Sequence, residues 1–107
     1  MDHQRLKVKK IINDYKLALK NLGITVDRAI LFGSFARGKA RKDSDIDLII
    51  VSEDFKKMNL RQRLEVLGIA AVRIMQPIEA KGYTLKEINS SSKPKFLAHV
   101  LEIGMGV

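Results

Sequence analysis

A chain of 107 residues with 46% hydrophobic content, no cysteine and a formal charge of +8 is sized for a single compact domain, residues 1–107, with a modest core. The missing cysteines exclude a disulfide framework and a thiolate zinc site, and no apolar run approaches the roughly 18–20 residues of a membrane span. No signal-peptide pattern stands at the start, so the expectation is a soluble, cytoplasmic protein with anionic partners and no membrane.

In chain order, Asp2 can cap a first helix running to about Leu22, with Val8, Ile11, Ile12, Tyr15, Leu19 and Leu22 on one face and Gly23 as its stop. Arg5, Lys7, Lys9, Lys10, Lys16 and Lys20 on this helix read as a solvated face, because no aromatic residue interleaves with them to stack a base. A first strand from Asp27 to Phe32 ends abruptly at Gly33, with a helix start at Phe35. A second strand, Ile46 to Val51, is almost continuously apolar, which predicts a central position covered on both faces. Leu60, Leu64, Leu67, Ala71 and Ile74 form the inner stripe of the next helix, widened by Val66, Ile69 and Ala70. Pro77 to Ala80 reads as a short third strand at a sheet edge. Thr84 and Glu87 form a capping box, with Tyr83 before it as a hydrophobic staple. A last helix begins near Pro94 and stops at Gly104; its Phe96, Leu97, Val100, Leu101 and Ile103 are apolar, and His99 beside them reads as a packed helical residue. The alternation of helices and strands predicts an α/β (α+β) domain.

One window concentrates the chemistry. Leu31-Phe32-Gly33-Ser34-Phe35-Ala36-Arg37-Gly38 is followed, after a short basic run, by Ser44-Asp45-Ile46-Asp47-Leu48. Asp45 and Asp47 are two apart on a strand and share a face, while Ile46 and Leu48 point the other way. Paired carboxylates repel unless a cation sits between them, and Mg²⁺ accepts such oxygens together with substrate phosphates. The Gly33-Ser34 turn offers backbone N–H groups and a hydroxyl to phosphate oxygens, and at Gly33 a side chain would hold the backbone away. Arg37, Lys39, Arg41 and Lys42 bring positive charge to the same place. Two rival motifs fail on chemistry. A P-loop would need Ser or Thr where Ala40 stands, and an EF-hand would need Gly where Leu48 stands.

The Gly-Ser, ten intervening residues, Asp-x-Asp arrangement resembles the DNA polymerase β-like nucleotidyltransferase superfamily, and within it the minimal nucleotidyltransferases of antitoxin type. That resemblance implies a small mixed β-sheet with helices packed against it and an active site on the sheet face. It makes Asp45 and Asp47 catalytic metal ligands, with Gly33 and Ser34 holding the β- and γ-phosphates and Arg37, Lys42 and Ser44 completing the nucleotide site. The family's third carboxylate, on a later strand, falls at Glu79, as a metal ligand or general base.

The implied reaction is attack by an acceptor hydroxyl on the α-phosphorus of a nucleoside triphosphate, with ATP as donor, two Mg²⁺ ions and pyrophosphate as leaving group. Relatives that modify small molecules or RNA generally add an acceptor-binding domain, so here the acceptor is expected on a partner protein of HEPN type, or a homo-oligomer completes the pocket. A binding-only antitoxin and a nucleic-acid-modifying module are the alternatives, nucleic acid being the less favoured partner.

Overall fold

The computed structural model describes residues 3–41 and 44–107; the expected cap Asp2, and Lys42 of the nucleotide site, lie outside the described residues. Helix α1 (His3–Asn21) buries Val8, Ile11, Ile12, Tyr15 and Leu19, the expected stripe, with Leu22 only partly covered. It ends in a Schellman turn: Ile24 N–H donates to the Leu19 carbonyl at 2.9 Å and Gly23 N–H to the Lys20 carbonyl at 3.0 Å. Gly23 supplies the left-handed backbone, φ 93°.

Four strands form one mixed sheet in the order β3-β2-β1-β4: β1 (Arg28–Phe32), β2 (Ile46–Val51), β3 (Ile78–Tyr83) and β4 (Met105–Gly106). β1 is antiparallel to both β2 and β4, and β3 is parallel to β2. The parallel pair is joined by a 3₁₀ turn (Glu53–Lys57) and α3 (Leu60–Arg73). β3 is an edge strand, as Pro77 suggested, but it runs on past Ala80. Gly82 lies within that strand, where a Cβ would stand 2.7 Å from the Phe55 ring. Tyr83 is the last residue of that strand and, as a staple would, packs partly buried against the apolar cluster that contains Ile88 of the next helix.

The two faces of the sheet are covered unequally. On one, α1 and α3 close over Leu31, Ile46, Leu48 and Ile50 in the larger core. On the other, α4 (Leu85–Ile88) and α5 (Lys95–Ile103) cover Ile30, Ile49 and Val51 with Ile88, Leu97 and Val100. The capping box of α4 is present, with Glu87 N–H donating to Thr84 Oγ1 at 3.2 Å and Thr84 N–H to Glu87 Oε1 at 2.9 Å. Asp47 shares the second face with Ile49 and Val51 but lies outside their apolar cluster. No helix among the described residues is long and apolar enough to cross a membrane.

The inner stripe of α3 differs from expectation. Leu67, Ala70 and Ala71 are buried, but Leu60 is 72% and Leu64 49% exposed. The reason is Arg63, which takes the inward position at that turn. Its guanidinium donates to the carbonyls of Met58 (3.1 Å), Gly82 (3.2 Å) and Phe55 (2.8 Å), and to both Glu87 oxygens at 2.7 and 3.1 Å. Leu60, Leu64, Val72 and Met75 are thereby left as an exposed apolar stripe.

Arg63 thus ties the 3₁₀ turn, β3 and α4 to one helix. Arg63→Met should cost about 2–3 kcal/mol in urea denaturation, since buried acceptors lose a charged donor. Glu87 is held below its usual range chiefly by the Arg63 hydrogen bond. Its contribution is therefore present at neutral pH and lost as pH falls, and the variant should flatten that acid limb of the stability profile.

Candidate active site

Register places the carboxylates. Asp47 sits opposite Phe32 on β1 and opposite Glu79 on β3, so Phe32, Asp47 and Glu79 form one row across three strands. Adjacent members are about 4.8 Å apart at ordinary strand spacing. Asp45 precedes β2 by one residue and is exposed, as is Glu79, while Asp47 is half-buried. The Asp47 pKa is raised, first by burial, then by the charges of Glu79 and Asp45, with Lys81 opposing them. The charges of Asp45 and Glu79 thus both reach Asp47.

The turn after β1 fits against this row. Gly33 has φ 74°, and a Cβ there would collide with the Asp47 carboxylate. Ser34 is half-buried in α2 (Gly33–Ala36), a single turn that begins two residues earlier than the expected start at Phe35. Phe35 and Ala36 pack on the larger core, which fixes the turn from behind. Arg37 caps α2, its N–H donating to the Gly33 carbonyl at 3.2 Å, and its side chain is exposed. Ser44 Oγ accepts the Arg41 N–H at 2.8 Å and so holds the basic loop together.

Two neighbours were missed by sequence reasoning. Lys81, two residues beyond Glu79, lies on the same face of β3, and its Nζ stands 5.4 Å from the centroid of the Phe96 ring. Phe96, read as a core position of α5, is 47% exposed and meets Phe32 edge to face at 5.8 Å. The strand alternation from Glu79 would have found Lys81. Nothing local to the sequence brings Phe96 to Phe32.

Among the described residues, no three His, Cys, Asp or Glu side chains converge into a metal cage. The donor set nevertheless suits a hard cation that takes one or two carboxylates and fills its sphere with phosphate oxygens and water, as Mg²⁺ does. The Asp47 carboxylate beside a turn without a side chain leaves that approach open.

Two outcomes follow for the metal-free protein. A raised folded-state pKa means that the fold favours the protonated acid, a contribution complete below the ordinary value of 3.8 and lost as pH rises through the raised one. Asp47→Asn should therefore raise Tm at pH 7, and the gain should shrink toward zero in acid. Gly33→Ala should cost more in urea denaturation than Gly38→Ala. Both residues have positive φ, but a Cβ at Gly38 meets nothing within 4 Å, leaving only the left-handed backbone penalty of about 1–2 kcal/mol.

The chain is 32% identical over 60 residues to a Methanocaldococcus jannaschii protein provisionally named protein adenylyltransferase MJ0141, covering 55% of this chain and 61% of that protein's length. A crystal structure of a toxin–antitoxin with AMP-PNP superposes with a TM-score of 0.59 at 20% identity, over 86% of this chain and 68% of that one. That likeness is one of fold. The sequence profile of the nucleotidyltransferase domain matches residues 8–98, and the chain belongs to that family.

Proposed function

We propose that this chain is a Mg²⁺-dependent nucleotidyltransferase that moves AMP from ATP to a hydroxyl of a macromolecular acceptor, a partner protein of HEPN type. The observation that carries the reading is Asp47 opposite Glu79, with the charge of Asp45 acting on it, beside the turn that has no Cβ at Gly33. Family membership supports nucleotidyl transfer. The name of the M. jannaschii relative favours a protein acceptor, and the toxin–antitoxin title of the structural neighbour favours a partner chain. The exposed stripe of Leu60, Leu64, Val72 and Met75 offers such a partner an apolar contact.

In this reading the Gly33-Ser34 turn binds the β- and γ-phosphates, and Arg37 and Lys42 add positive charge for them. Asp45, Asp47 and Glu79 would hold divalent cations, which supply charge compensation to the triphosphate and to the departing pyrophosphate. Glu79, at the exposed end of the row, takes the proton of the acceptor hydroxyl. The acceptor oxygen bonds to the α-phosphorus as the bond to the β-phosphate oxygen breaks. Most of the acceleration comes from positioning and electrostatics.

The test is transfer of label from α-phosphate-labelled ATP into macromolecules of a host lysate with Mg²⁺. A protein band labelled by wild type and lost in Asp47→Asn, by at least about 100-fold, is the expected result. A labelled RNA band would replace the acceptor assignment. Absence of label while Mg²⁺-ATP binds would favour an antitoxin that acts by contact.

A further inference from the structure

We propose that Lys81 is a substrate-binding residue of this site, its ammonium held by the Phe96 ring beside Asp47 to take a non-bridging oxygen of the α-phosphate. The inference rests on the nucleotide reading above and adds a residue to it. Strand alternation puts Glu79 and Lys81 on one face of β3, Glu79 opposite Asp47 and Lys81 opposite Ile49. Lys81 is half-buried, and among the described residues no carboxylate lies within ion-pair distance of it.

Its head group is nevertheless placed. The Phe96 ring lies 5.4 Å away, and the same ring meets Phe32 at 5.8 Å with the planes 76° apart. Phe32 and Lys81 stand on the two strands that flank Asp47. One aromatic side chain at the start of α5 thus spans the carboxylate strand and fixes a cation on its far side. A cation–π contact at such a half-open place is weak, about 0.5–1 kcal/mol. Lys81 can leave the ring for a stronger acceptor at little cost.

The order of the sheet says which phosphate that acceptor is. The Gly33-Ser34 turn follows β1, on one side of Asp47, and Lys81 lies on β3, on the other. A triphosphate whose far end sits in the turn and which passes Asp47 reaches Lys81 at its α end. Arg37, Lys39 and Arg41 are exposed beside the turn and serve the other end. At the α end three carboxylates gather, and Lys81 is the basic group that acts on Asp47 there. Without it, the transferred phosphate would face acidic side chains from the protein.

The experiment compares two probes in Mg²⁺ by calorimetry: α,β-methylene-ATP, which carries the α-phosphate, and inorganic pyrophosphate, whose two phosphates fill only the turn. Lys81→Met keeps the apolar stem, Lys81→Arg keeps the charge, and thermal melting reports the fold of each. Lys81→Met should weaken α,β-methylene-ATP by about tenfold or more, the worth of one charge-assisted hydrogen bond. Pyrophosphate should stay within about twofold, and Lys81→Arg should recover most of the loss. Unchanged α,β-methylene-ATP binding in a folded Lys81→Met protein overturns the assignment, as does an equal loss of both probes. Failure of wild type to bind either probe would instead overturn the nucleotide reading, and this one with it.

Discussion

The structure depends on β2 being dry everywhere except at Asp47. Ile46, Leu48, Ile49, Ile50 and Val51 are all buried, on alternating faces, so the strand is clamped between two cores and by long pairings on both sides. A carboxylate on such a strand cannot swing away from its neighbours. It bears the burial and the repulsion of Glu79 and Asp45, and its raised pKa records both. Gly33 completes the constraint, because only a residue without a Cβ lets the turn close against that carboxylate. A rigid strand, a strained acid and a turn with no side chain are one arrangement, and none of them makes sense without the others.

Unequal covering turns this arrangement into an open site. The larger core needs two long helices, α1 and α3, and is shut; Tyr15, fully buried, even donates its hydroxyl to the Leu67 carbonyl at 2.8 Å to lock them together. The smaller core has α4 and α5, and these cover Ile30, Ile49 and Val51. The next row of the same face, Phe32, Asp47 and Glu79, lies where α5 begins, with Phe96 as its margin. The site exists because a helix starts one row late. The stability of the sheet is supplied from behind, which leaves the front free for ligand.

The sequence showed most of this wherever one residue pattern decides the outcome. The α1 stripe, the dry β2 strand and the Thr84 box each depend on neighbours a few positions away, and each appears as read. The face of Asp47 follows from strand alternation alone, while Asp45 stands one residue before the strand begins. Where tertiary partners decide, the pattern misled. Leu64 looks like a core residue until Arg63 takes the inward position, a choice set by carbonyls from the 3₁₀ turn and β3. The third strand was expected to end at Ala80 and runs on through Gly82, whose open side is filled by the Phe55 ring. β4 is only Met105 and Gly106, held by pairing to Leu31 and Ile30, which no local signal announces. Phe96 is apolar at helical spacing, and its place beside Phe32 comes from the docking of α5.

Charge in this protein works at two ranges, and the two have opposite signs. The excess of 20 basic over 12 acidic residues attracts an anion from outside the Debye length of about 8 Å at physiological salt. Inside that distance the ligand meets Asp45, Asp47 and Glu79, and the attraction reverses. An anion drawn to such a face stays only if each end of it finds a cation at contact range. Arg37, Lys39 and Arg41 are exposed beside the turn, and Lys81 lies on β3 opposite Ile49, beyond Glu79. The net charge therefore draws anions broadly, while the local carboxylates oppose them at contact range.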